Sequence, residues 1–206
     1  MLLFGHAGIP LGVVWLSEKA ATWVALKRAK REPGWCGANP VPRLVSNPSP
    51  IGSIATRIDY RLILLGSLLP DIIDKPLGIY LLRDALSNGR IFSHTLLFVA
   101  LLTAAGIYLY VNRKSLGLLC LSFGSLTHLV LDKMWLDPRT FLWPLYGWTF
   151  EKVDISHWLE EILTSLQTEP SVYIPEIIGA LLLGAFFFNL SRQGKLYSFF
   201  RTGKKD

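Results

Sequence analysis

"TLLFVALLTAAGIYLYV", residues 95–111, contains no charged side chain and is followed at once by "NRK". It is close to the length of about 20 apolar residues that crosses the hydrocarbon core of a bilayer as a helix. Two further runs have the same character. Residues 116–131, "LGLLCLSFGSLTHLVL", carry only His128 as a titratable side chain besides Cys120, and residues 172–190, "VYIPEIIGALLLGAFFFNL", carry only Glu176 besides Tyr173. Two weaker segments precede these: residues 7–25, interrupted by Glu18 and Lys19, and residues 58–73, apolar mainly from Leu62 onward. The second of these equally fits an interfacial or re-entrant helix.

With 51% apolar residues over 206 positions and a mean hydropathy of +0.38, the chain reads as a membrane protein rather than an ordinary soluble enzyme. The expected fold is all-α, a single membrane-embedded domain over 1–206. It comprises a bundle of about five transmembrane or membrane-embedded helices with an added amphipathic interfacial helix. A cleaved signal peptide is not expected, because "MLLFGHAGIP" has no basic residue before its apolar stretch. Cys36 falls in a Pro-rich linker and Cys120 inside an apolar run, so a disulfide between them is not expected either.

If the five segments cross in turn, their connections fall alternately on two faces. One face receives "KRAKREP", the linker, "NRK" at 112–114 and the tail at 191–206, with Glu32, Asp59 and Asp206 as its only acids. On the other face acids outnumber bases. The positive-inside rule then places the basic face and the C-terminus in the cytoplasm and the acidic face outside. This sidedness accounts for the net charge of +6 without nucleic acid as a partner.

The linker at 33–53, rich in Pro, Gly, Asn and Ser, is expected to be irregular. Residues 154–166, "DISHWLEEILTSL", place Ile155, Trp158, Leu159, Ile162, Leu163 and Leu166 on one helical stripe, as an outer-face interfacial helix would. Aromatics at 141–148, "FLWPLYGW", suit headgroup depth.

On this topology six ionisable residues share the outer face. His6 begins the first segment, Asp71 and Asp74 end the second, His94 begins the third, and His128 and Asp132 end the fourth. His128 and Asp132 are spaced i, i+4, which stacks them on one side of a helix. Ionisable groups bordering a bilayer are costly and point to function. Mixed nitrogen and oxygen donors suit a divalent metal, zinc first, with manganese, iron or nickel taking the same set. His6, Asp71, His94, His128 and Asp132 are the expected ligands. Asp74 is a ligand or a general base, and Asp132 joins it as a candidate catalytic group. His157 is expected on a solvated surface. Arg90 reads as an interfacial arginine or a contact for an anionic headgroup, and Glu176 as a snorkelling acid or a partner behind the site.

"GHAGIPLG" from Gly5, "GSLLPDIID" from Gly66, "GRIFSHTLL" from Gly89 and "GSLTHLVLDKMW" from Gly124 together resemble the YdjM-like family of membrane-bound metal-dependent hydrolases. The resemblance implies metal ligands at His6, Asp71, His94, His128 and Asp132. The chain departs from the family pattern at "PDIIDKP", where Lys75 stands in place of a histidine, and at Gly89, where a further histidine is usual. The implied function is hydrolysis of a phosphoester or lipid-linked ester by metal-activated water at the outer face of the inner membrane, with membrane lipids as partners. The alternative is a non-catalytic metal-binding or ion-pathway protein using the same cluster.

Overall fold

The computed structural model describes residues 2–29, 57–154 and 157–204. The linker expected at 33–53 lies outside them. All regular structure among the described residues is helical. The main helices are α1 (Leu3–Ala29), α2 (Tyr60–Lys75), α3 (Leu96–Arg113), α4 (Gly117–Leu131), α5 (Trp158–Thr168), α6 (Pro170–Arg192) and α7 (Leu196–Thr202).

Local chemistry sets the ends of these helices. Asp59 caps α2 by accepting from the Arg61 amide at 2.9 Å, and Thr95 Oγ1 caps α3 by accepting from the Phe98 amide at 3.1 Å. Lys114 in the left-handed region stops α3, Pro170 opens α6 at its first turn, and Gly203 with φ 73° ends α7.

The long helices alternate in direction. α1 and α6 run parallel, with Trp15 edge-on to Phe186 at a centroid distance of 5.8 Å. α2 and α4 also run parallel, and α3 returns antiparallel to α4, with Thr103 and Ser122 hydroxyls bonded across the pair. The starts of α1, α3 and α6 and the ends of α2 and α4 therefore gather at one end of the bundle. Two glycine contacts allow this packing. A Cβ at Gly8 would collide with the Gly179 carbonyl, and one at Gly66 with the Leu121 carbonyl, so both helix pairs meet backbone to backbone.

The opposite end is closed by an apolar core of Leu11, Trp15, Tyr60, Phe186, Leu190 and Phe199. Phe199 belongs to α7, so the described part of the basic tail at 191–206 is packed onto the bundle. The Tyr60 amide donates to the Gly203 carbonyl at 2.9 Å, and Arg61 Nη1 donates to the Phe200 carbonyl at 2.8 Å.

Two helices, α3 and α6, are long and apolar enough to cross a membrane, and α4 is a shorter apolar helix. Much of their apolar surface faces outward, including Leu101, Ile107, Tyr108 and Val111 on α3 and Leu181 and Phe188 on α6. Within the stretch read as an amphipathic helix, α5 begins at Trp158 and has no fully buried residue, and Ile155 of the expected stripe lies outside the described residues. Its apolar stripe divides in two. Trp158 and Ile162 turn toward a cavity, while Leu159 and Leu163 are exposed.

Candidate metal centre

Each element delivers its side chain to the gathered end for a local reason. His6 lies one turn into α1, whose first amides are held by a carboxylate from another helix. Glu176 on α6 accepts from the amides of Leu2 at 2.6 Å, Phe4 at 2.8 Å and Gly5 at 3.1 Å. Glu176, left open between two roles by the sequence, is thus the cap of the helix that carries His6. The only sequence signal for this was an acid in an apolar run, which says that a partner exists but not which.

His94 sits in a short helical turn, Phe92–His94, ahead of α3. Asp74 at the end of α2 shapes that turn. Its carboxylate accepts from the amides of Ile91 at 2.8 Å, Ser93 at 3.0 Å and His94 at 3.1 Å, and lies 2.7 Å from His94 Nδ1. His128 on α4 points Nδ1 at the Ser67 carbonyl of α2, 2.7 Å away. His6, His94, His128 and Asp74 are all fully buried.

These bonds fix the tautomers. A carbonyl oxygen only accepts, so His128 Nδ1 carries a proton. The Asp74 carboxylate already collects amide protons, so His94 Nδ1 donates to it as well. In each neutral ring the lone pair is then on Nε2, and the two Nε2 atoms face each other at 3.2 Å. Asp71 Oδ1 lies 3.6 Å from His94 Nε2 and 3.8 Å from His128 Nε2. With both rings neutral, three acceptors converge with no donor among them, an arrangement that a metal ion can satisfy. Tetrahedral zinc with bonds of 2.0–2.2 Å separates its ligands by about 3.3 Å, so the donor set fits an ion in spacing as well as chemistry. Without an ion, the conflict is met by a proton. Burial lowers the pKa of His94, but the Asp71 and Asp74 carboxylates outweigh burial and raise it above the ordinary histidine value.

A second set adjoins the first. The His6 ring stacks on the His128 ring at 3.9 Å, and His6 Nε2 is 3.0 Å from Asp132 Oδ1, although not aligned along a hydrogen bond. His6 Nδ1 is also buried without a hydrogen-bond partner. Such a nitrogen is costly in a bundle interior. His6, His128 and Asp132 form one group whose donor atoms can hold an ion, and Asp71, His94 and His128 form another. Burial raises the pKa of Asp132, but nearby His6 and Arg90 outweigh it and hold the carboxyl far below the usual range.

All six residues expected at the outer face therefore come together at one end of the bundle. Asp74 stands apart in its connections, since its oxygens face the Ile91–His94 backbone and His94 Nδ1 rather than the converging acceptors. His157 is on the surface, 3.2 Å from Glu160. Two cations bind the outer oxygens of these carboxylates. Lys75 Nζ is 2.6 Å from Asp71 Oδ2, and Arg90 Nη2 is 2.9 Å from Asp132 Oδ2. The signal for Lys75 was its i, i+4 spacing from Asp71. Arg90 meets its partner only through tertiary packing.

A model of the YdjM inner membrane protein family matches residues 20–199. The chain belongs to the YdjM inner membrane protein family. Asp71, Asp74, His94, His128, Asp132 and Glu176 lie within the matched residues, and His6 precedes them. No curated protein and no solved structure matches the chain.

Beside the centre is a cavity of about 340 Å³, into which Asp71, Lys75, Arg90 and Asp132 face together with Leu2, Trp158 and others. The histidines lie behind the two carboxylates. Buried His and Asp groups of the chain could thus hold a metal ion next to an open space.

Proposed function

We propose that this chain is an integral membrane metal-dependent hydrolase whose ion, zinc in the first place, is held by Asp71, His94 and His128 with His6 and Asp132 completing the shell. The observation that carries the reading is the meeting of the His94 and His128 Nε2 lone pairs at 3.2 Å beside Asp71. His128 has one free nitrogen, because its Nδ1 is committed to the Ser67 carbonyl. The two donor groups share that nitrogen, so they serve one ion between them.

When bound, the ion supplies Lewis acidity toward an ester oxygen and acidifies water. The chain does the rest. Asp74 fixes the tautomer and orientation of His94, so its role is positioning, in place of the ligand or general base its sequence position allowed. Ser67 does the same for His128. Asp132, in the cavity wall between His6 and Arg90, is the candidate group for contacting water or substrate beside the ion, and it stays ionised there. A purely structural metal site is closed on all sides. The cavity against Asp71 and Asp132 favours catalysis over the non-catalytic alternative.

The substrate class is a phosphoester or lipid-linked ester presented by the membrane. Alternating helix directions support five membrane-embedded segments with the centre at the extracytoplasmic side and the C-terminus in the cytoplasm, as the charge asymmetry requires. The test is metal analysis of purified wild-type protein and His128→Ala, alongside hydrolysis of labelled phospholipids. The reading expects about one divalent ion per wild-type chain, loss of it in His128→Ala, and turnover only when the ion is present. An ion retained by His128→Ala would sink the site as drawn, and an ion lost with no ester turned over would make the centre structural.

A further inference from the structure

The cavity carries information that the metal ligands do not use. Lys75 and Arg90 enter its wall from the end of α2 and from the connection before α3. Each is anchored by the outer oxygen of a carboxylate whose inner oxygen faces a histidine. Lys75 bonds Asp71 Oδ2 while Asp71 Oδ1 faces His94 and His128, and Arg90 bonds Asp132 Oδ2 while Asp132 Oδ1 faces His6. One contact uses a fraction of the three donors of an ammonium or the five of a guanidinium. The Lys75 and Arg90 side chains are 31% and 49% exposed, so donors remain free on the cavity side.

The part of the lining supplied by α5 is of another kind, and it meets the charged part where Lys75 Nζ lies over the Trp158 ring at 6.0 Å. On α5, Trp158, Glu161, Ile162 and Ser165 line the cavity at i, i+3, i+4 and i+7 spacing, so a single face of the helix forms this wall. Leu2, Val153 and Val172 extend its apolar part. The space therefore has a charged side next to the metal centre, where Lys75 and Arg90 lie paired with Asp71 and Asp132, and a more apolar side under an amphipathic helix. At about 340 Å³ it is near the lower end of small-ligand pockets, the size of a headgroup with its first methylenes.

We infer that this cavity binds an amphiphile whose phosphate group is held between Lys75 and Arg90 and whose apolar end lies on Trp158, Ile162 and Val172. The inference rests on the metal reading for its sign of charge. Lys75 and Arg90 share the lining with three carboxylates, Asp71, Asp132 and Glu161, so the lining by itself gives an anion no net attraction. A divalent ion at the centre reverses the balance. Ion and phosphate must then bind with positive coupling, each raising the affinity of the other. Arg90 presents a planar fork suited to two phosphate oxygens, and Lys75 presents a point charge.

The experiment titrates full-length protein in a neutral detergent, zinc-loaded and zinc-free, with the phosphonate analogue of dihexanoyl phosphatidic acid, with inorganic phosphate and with dihexanoylglycerol. Metal content is measured on the same samples. The zinc-loaded wild type should bind the phosphonate at least ~10-fold more tightly than inorganic phosphate and should not bind dihexanoylglycerol detectably. Lys75→Gln and Arg90→Gln should each weaken phosphonate binding by ~10-fold or more, as expected for one lost charge-assisted contact, with zinc retained. Arg90→Lys should recover part of the loss, and Trp158→Ala should erase the advantage over inorganic phosphate. Zinc-loaded protein that ignores the phosphonate, or binds it equally in both Gln variants, overturns the phosphate clamp and leaves the metal reading standing. Equal affinity for phosphonate and inorganic phosphate in the wild type overturns the amphiphile. Protein that takes up no zinc overturns both the clamp and the metal reading.

Discussion

Asp74→Asn separates a positioning role from a catalytic one at the end of α2. Four donors reach the Asp74 carboxylate, and they are unevenly shared. Oδ2 accepts from the amides of Ile91, Ser93 and His94 and from His94 Nδ1, while Oδ1 receives only the Ser93 amide at 3.0 Å. An asparagine with its carbonyl oxygen in the Oδ2 position keeps the backbone turn, and its NH₂ faces only the Ser93 amide. The folding cost is thus about 1–3 kcal/mol, that of one poorly paired buried donor. The larger effect falls on the metal. Replacing a carboxylate behind a histidine ligand with a neutral group makes the ring a weaker donor, and such changes reduce metal affinity by about 10–100-fold. That range corresponds to about 1.4–2.8 kcal/mol. The expected outcome is a protein that still melts cooperatively, with zinc affinity lowered by that factor in a chelator-competition titration and turnover restored by excess zinc. Zinc affinity equal to wild type combined with lost turnover would refute the reasoning and return Asp74 to a direct catalytic role.

Glu176→Gln should destabilise the bundle by about 1–2 kcal/mol, since the amides of Leu2, Phe4 and Gly5 lose a charged acceptor at the start of the helix carrying His6. Thermal melting with and without zinc checks this, and an unchanged midpoint would remove Glu176 from the support of the site. Zinc affinity should rise with pH through the neutral range and level off at higher pH. The metal-free protein holds a proton on His94 to a pH above the ordinary histidine value of about 6.5, and zinc must displace it. Chelator competition across pH 5.5 to 9, on the order of one titration per unit, would show a flat profile if the His94 ring were not a ligand.

The sequence by itself determined the all-helical class, the membrane character and the end of the bundle at which His6, Asp71, Asp74, His94, His128 and Asp132 gather. These follow from quantities local to the chain. An uncharged run near spanning length has one backbone solution in a bilayer, and alternating directions put successive helix ends on fixed faces. Which partners each of those residues meets is decided by packing. Asp71 and Asp74 lie three positions apart on one helix, yet one faces two histidine nitrogens and the other clasps the turn behind one of them. Their difference depends on where the Ile91–His94 backbone passes, which no spacing in α2 records. Arg90 meets Asp132 across 42 positions of chain, and Glu176 reaches the amides of Leu2, Phe4 and Gly5 from the last long helix. The two stripes of α5 appeared as one in the sequence, because a hydrophobic period does not say whether a face meets a cavity or the surroundings. Buried polar groups must find partners, and sequence shows that need. The partner is chosen by three-dimensional proximity, which only the tertiary structure supplies.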